Sequence, residues 1–211
     1  AELFTGNCLI IMGYVSKRIT TREMLNNWTI SFMGNFVGSL TMVCWMYKTH
    51  QFDFFHQMVG AKALLIANTK VTLTFKTALA RGVLCNAMVC LAVWLCFSGR
   101  TAADKILSIV FPIGGFVASG FEHCVANMYF IPMGIILRKN PEVVAAAEKM
   151  AGKALDFSQL TWRGFFINNL FPVTLGNIVG GVILVGIMFW FVYLRPHISF
   201  SLNVKQDFFN K

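Results

Sequence analysis

Long apolar stretches separated by short polar connections dominate this 211-residue chain. Residues 27–47 and 164–194 contain no Asp, Glu, Lys or Arg. A helix that crosses a bilayer needs about 20 mostly apolar residues. Soluble core helices rarely run so long without charge, so both segments read as transmembrane helices. A third span covers residues 78–98, with Arg81 near its start, and a fourth covers 106–137, apolar except for Glu122 and His123. Residues 3–15 are too short to cross and read as a half-helix. The expectation is a single transmembrane domain over 1–211, all-α and polytopic.

Spans 106–137 and 164–194 are both longer than one straight crossing requires. The first carries Pro112, Gly114, Gly115, Gly120 and Pro132, the second Pro172, Gly176, Gly180 and Gly181. Irregular backbone at membrane depth is tolerated only where protein or a water-filled cavity covers it. Span 106–137 is therefore expected to be a broken helix facing a pathway. In span 164–194, Gly176-x3-Gly180 reads as a small-residue contact for close helix packing. The connections 48–77 and 137–163 are assigned to one side of the membrane, and 16–26, 99–105 and the tail 195–211 to the other. These two sets hold 9 and 8 Lys and Arg residues, the second over far fewer positions, which favours it as cytoplasmic.

Two patterns recur in the same order. Asn27-x6-Gly34-Asn35-x2-Gly38 returns as Asn169-x6-Gly176-Asn177-x2-Gly180, offset by 142 residues. Glu2-x4-Asn7 returns as Glu122-x4-Asn127, offset by 120. Duplicated halves with broken helices meeting near the midplane are a common transporter architecture. An odd number of crossings between equivalent points makes the halves inverted. Span 78–98 precedes the second copy and has no counterpart before the first, and the chain opens Ala1-Glu2-Leu3 without Met or signal peptide. The expected parent has six spans, with the first span and part of the second preceding residue 3.

Composition narrows the function classes. Charged residues make up 13% of the chain, against about 25% in soluble domains. Net charge is +9, but Lys and Arg sit in the connections, where they anchor spans to headgroups or gather anions. No basic stripe interleaved with aromatics points to nucleic acid. The six cysteines, Cys8, Cys44, Cys85, Cys90, Cys96 and Cys124, lie in apolar stretches without a CxxC pair. They read as small packing residues rather than a disulfide framework or a metal site. No cofactor is expected.

The candidates for chemistry are few. His123 lies deep in an apolar span beside Glu122, and ionisable groups at membrane depth face a pathway or a partner. The alternative for His123 is a neutral ring that holds a helix break by hydrogen bonds. Glu122, and Glu2 in the other half, are expected to cap backbone N–H groups freed by a break or to pair with a nearby donor. Thr5, Asn86 and Asn127 are neutral hydrogen-bonding groups that can bind an anion or bridge helices. Asn35 and Asn177 are assigned to structure. Leu3, Phe4, Val89 and Phe116 are ordinary core unless a pore gives them the role of a constriction, which strips hydration and so resists ions.

These residues carry a resemblance. Glu2-Leu3-Phe4-Thr5-Gly6-Asn7 resembles the re-entrant loop of the formate/nitrite transporter family. Residues 119–128, SGFEHCVANM, are similar to that family's second break, and 172–181, PVTLGNIVGG, to its last-helix motif. Residues 84–94, LCNAMVCLAVW, fit as well, so the likeness covers nearly all of 1–196. It implies an aquaporin-like, inverted-repeat bundle assembled as a homopentamer in the inner membrane, multi-pass, with a pore in each protomer. It also implies a central histidine, carried over to His123, between two apolar constrictions. The neighbouring pathway residues fall on Asn86 and Val89, the loop residues on Leu3, Phe4 and Thr5, the outer constriction on Phe116 and a vestibule lysine on Lys70.

The mechanism expected from this set is transient protonation. Lys70 draws in a small anion, formate or nitrite, and dehydration near His123, Thr5 and Asn86 disfavours its charged form. The neutral acid then passes the apolar residues. Alternatives are a hydrosulfide channel, a lactate or acetate channel, and a neutral-solute channel of the aquaporin type, whose paired Asn-Pro-Ala motifs do not occur here. A membrane enzyme using His123, Glu122 and Cys124 would need side chains that converge, and near-adjacent residues point around a helix.

Overall fold

A computed structural model describes residues 2–195; expectations for the tail beyond them lie outside the described residues. Leu3–Thr5 form a loop, and a 3-10 turn over Gly6–Ile10 continues as α1, Ile11–Val15. Then come α2, Thr21–Lys48, α3, Met58–Val71, and α4, Phe75–Ser98. They are followed by α5, Ala102–Ala118, α6, Cys124–Leu137, and α7, Pro141–Ala151. The last helix, α8, spans Gly164–Leu194, with π-type turns on either side of its α-helical stretch Phe171–Val179.

Helix starts follow local chemistry. Thr20 and Glu23 close a reciprocal cap at α2, and Thr101 and Asp104 do the same at α5. Among the described residues, three helices, α2, α4 and α8, are long and apolar enough to cross a membrane. Large apolar side chains such as Ile30 and Val37 on α2, Phe111 on α5 and Val192 on α8 point outward. That inversion of the soluble pattern suits a lipid or protein surround.

Three differences from the sequence expectations matter. First, the connections 48–77 and 137–163 contain helices α3 and α7. Asn140 caps α7, Pro141 opens it and Gly152 ends it with a left-handed φ of 67°, but a search for charge-free spans passes over helices this short and charged. Second, span 106–137 does break, but only at Ser119–His123. Pro112 and Pro132 sit inside α5 and α6. The turn is made at Gly120, whose φ of +65° suits a residue without Cβ. Third, some spans begin earlier than expected, α2 at Thr21 rather than residue 27 and α4 at Phe75 rather than residue 78.

Gly176 and Gly180 lie against α4. A Cβ built on either would collide with the carbonyl of Leu79 or Val83, and one on Gly82 would stand 2.8 Å from the Val173 carbonyl. Backbone thus meets backbone at this crossing, which is what small residues four positions apart permit. The main core joins α2, α3, α6, α7 and α8 around Leu64, Met128, Ile131 and Phe165. A small cluster of Cys8, Leu9, Cys90 and Val185 ties the 3-10 turn Gly6–Ile10 to α4 and α8, and another of Cys85, Val89 and Phe116 ties α4 to α5.

Candidate functional site: two matched breaks

The two halves build their breaks with the same bonds. In the first, Asn35 Nδ2 donates to the Glu2 carbonyl (3.0 Å) and Asn35 Oδ1 accepts from Phe4 N–H (2.9 Å). In the second, Asn177 Nδ2 donates to the Glu122 carbonyl (3.0 Å) and its Oδ1 accepts from Cys124 N–H (2.9 Å). Each carboxylate Oε2 then accepts from the asparagine five residues on, at 2.7 Å in both halves: Asn7 to Glu2, Asn127 to Glu122. Asn27 and Asn169 complete the pairs. Each accepts from that asparagine (2.8 and 2.7 Å) and donates to the carboxylate (3.1 Å in both). Backbone groups released by the breaks are therefore satisfied by side chains, as low-dielectric surroundings require. Asn27, Asn169 and Ser31, which donates to Glu2 (3.1 Å), were not singled out from sequence. The signal for the first two was there, since they open the repeated motif.

His123 is the residue the scaffold holds between the halves. It is 7% exposed and caps α6, its Nδ1 accepting the Ala126 N–H at 3.0 Å. A neutral imidazole whose Nδ1 accepts carries its proton on Nε2. That Nε2 faces Thr5 Oγ1 of the first break at 3.0 Å. The Nε2–H donates, and the threonine keeps its own hydroxyl proton to donate elsewhere. The Phe116 ring stacks on the imidazole, centroids 5.7 Å apart and planes 15° apart.

The other sequence candidates fall around this pair in different ways. Phe4 is buried and meets the rings of Trp28 and Phe32 edge-on. Val89 and Phe116 belong to one apolar cluster, flanked by Met88, Ile113 and Phe121. Leu3 stands 41% exposed. Asn86 is fully buried and bridges helices, its Nδ2 donating to the Asn177 carbonyl at 2.6 Å.

Lys70, expected to contribute to a positive vestibule that draws in anions, is held in an ion pair. In the structure its Nζ lies 2.8 Å from Glu122 Oε1, with side-chain exposures of 14% and 3%. Low-dielectric surroundings favour such pairing over a lone cation. The lysine therefore acts on the second break, neutralising the carboxylate beside His123. Among the described residues, no three His, Cys, Asp or Glu side chains group so as to hold a metal ion.

With this geometry in view, the likeness to known proteins is decisive. The profile of the formate/nitrite transporter family matches residues 1–191. This chain belongs to the formate/nitrite transporter family. It is 44% identical over 199 residues to the formate channel FocA of Escherichia coli strain K12, covering 93% of this chain and 69% of that protein. It is 38% identical over 209 residues to a probable formate transporter of Methanothermobacter thermautotrophicus, covering 92% and 69%. Among solved structures, a pentameric formate channel with formate bound superposes with a TM-score of 0.81 at 41% identity, over 92% of this chain and 76% of that one. Membership in the formate/nitrite transporter family makes this an integral membrane transport protein, and its relatives are channels and transporters rather than enzymes.

Proposed function

We propose that the protein conducts formate and similar small monovalent anions across the inner membrane, in a homopentamer whose protomers each hold a pathway. The support comes from relatives that are formate channels, one of them pentameric with formate bound. The observation that carries the mechanism is the buried Thr5–His123 pair, 3.0 Å apart, where the two breaks meet. Apolar residues flank it, Phe4 from one break and Val89 and Phe116 from the other side.

The physical logic is dehydration. An anion entering this slot loses water and finds hydrogen-bond donors, the Thr5 hydroxyl backed by His123 Nε2–H, but no free positive charge. The low dielectric disfavours its charged form and raises its pKa, so it takes a proton and crosses as the neutral acid. The proton comes from water or from the His123 ring. A ring that delivers one must first be doubly protonated, which gives up the bond Nδ1 accepts from Ala126. Nitrous and hydrosulfuric acids satisfy the same logic, since each has a small neutral form.

Proteoliposomes test this reading. An inward formate gradient should acidify the lumen, with a flux indifferent to an imposed membrane potential. Formate entry that tracks the potential without acidification would show that the ion crosses charged. Running nitrite, hydrosulfide, acetate and lactate beside formate ranks the substrates, and a preference for the larger monocarboxylates would move the assignment to that branch.

A further inference from the structure

We infer that the groove between α3, α6 and α7 is a binding site for the acyl chain of an anionic glycerophospholipid, with Lys62 holding the headgroup phosphate. The groove encloses about 670 Å³, within the range of about 300–1,000 Å³ typical of small-molecule sites. Its walls are Met58 and Lys62 from α3, Tyr129, Phe130 and Met133 from α6, and Met150 from α7. Three of these are methionines, flexible and polarisable side chains that adapt to an irregular, mobile chain.

Two observations select the occupant. The walls are almost wholly apolar, and in a bilayer the substance always at hand to fill such a groove is a lipid chain. An unfilled groove would forfeit dispersion contacts on one side of every wall atom. The second observation is charge. Lys62 is exposed on α3, and the ion pairs among the described residues, His50–Asp53 and Lys70–Glu122, do not include it. An exposed lysine lining an apolar groove can lay its stem on the wall and offer its ammonium to a headgroup phosphate. Tyr129 beside it has the amphipathic character of residues at that depth. Phe130 gives the site a link to the pathway, since Lys70 Nζ stands 5.8 Å from its ring centroid and pairs with Glu122.

The test is lipid binding to the purified full-length protein in detergent, read by native mass spectrometry. Dioleoyl-phosphatidylglycerol, dioleoyl-phosphatidylcholine and glycerol phosphate are the probes. Phosphatidylglycerol should bind about fivefold more tightly than phosphatidylcholine, the value of one lysine near a headgroup. Glycerol phosphate should not bind measurably. Lys62→Met should erase the preference while keeping chain binding, and Ala63→Trp, which fills the groove, should abolish binding of both lipids. Equal affinity for the two lipids in the unmodified protein overturns the headgroup assignment. Retained binding in a folded Ala63→Trp protein overturns the groove. If Ala63→Trp fails to fold, Lys62→Met alone decides, because an unchanged preference there contradicts the proposal. If Ala63→Trp instead splits the oligomer and leaves lipid binding intact, the groove receives a second copy of the chain and the proposal is wrong.

Discussion

The two helix breaks share a scaffold and differ in what it holds. Glu2, Asn7, Asn27 and Asn35 make the same bonds as Glu122, Asn127, Asn169 and Asn177, most within 0.1 Å. At the position where the second break presents His123, the first presents Leu3. Where Ser31 completes the ring of donors to Glu2, Lys70 completes it for Glu122. The shared part solves a problem of backbone satisfaction common to both halves. The unshared part, an imidazole, a threonine and a lysine–carboxylate pair, is where the proposed mechanism places its chemistry.

That division can be broken experimentally. The largest effect is expected at the ion pair. Glu122→Gln strands the half-buried Lys70 and should cost up to about 3–5 kcal/mol, read as a drop in thermal stability in detergent. Glu2→Gln removes an exposed carboxylate that forms no ion pair among the described residues, and should cost far less. Adding Lys70→Met to Glu122→Gln should recover most of the loss. Equal losses from Glu2→Gln and Glu122→Gln would mean that the cation is incidental.

Next come the packing glycines. Gly180→Leu forces a side chain into the Val83 carbonyl and should cost at least about 1–3 kcal/mol. Its repeat mate Gly38 has nothing within 4 Å among the described residues. If the halves are packed alike in the assembled protein, Gly38→Leu costs as much there. A neutral Gly38→Leu, measured the same way in proteoliposomes, would show that the likeness stops at the breaks.

A smaller difference is expected at the clamps. Asn177→Ala leaves buried groups of Cys124, Glu122 and Gly82 without partners, at about 1–3 kcal/mol for each unsatisfied group. Asn35→Ala frees only the Phe4 and Glu2 groups, in a more open setting. Thermal denaturation should order the two variants accordingly.

Much of this arrangement was legible in the sequence because membranes make it so. Charge-free runs marked α2 and α8, a run with one arginine marked α4, and the twice-repeated Glu and Asn pattern named most of the scaffold residues before any were placed. The repeat could not show what faces a residue from elsewhere in the chain. Lys70 looked like a vestibule cation because its partner lies 52 residues away. Helices α3 and α7 escaped because hydropathy finds crossings, whereas a short helix carrying Lys62 and Lys70, or Glu148 and Lys149, advertises itself through caps and turns. Gly120 stood among the candidate breakers, but composition alone does not distinguish it from Pro112 and Pro132, which sit inside helices.

The sharpest measurement concerns His123. Asparagine at this position can still accept the Ala126 N–H and cap α6, as short polar side chains do, but it offers no imidazole to Thr5; phenylalanine offers neither. Formate flux should be measured in proteoliposomes from pH 5 to 8 for the unmodified protein, His123→Asn and His123→Phe. The account predicts a folded His123→Asn channel whose flux no longer follows pH as the unmodified protein's does, and a less stable His123→Phe. A pH profile in His123→Asn that overlays the unmodified one would contradict it.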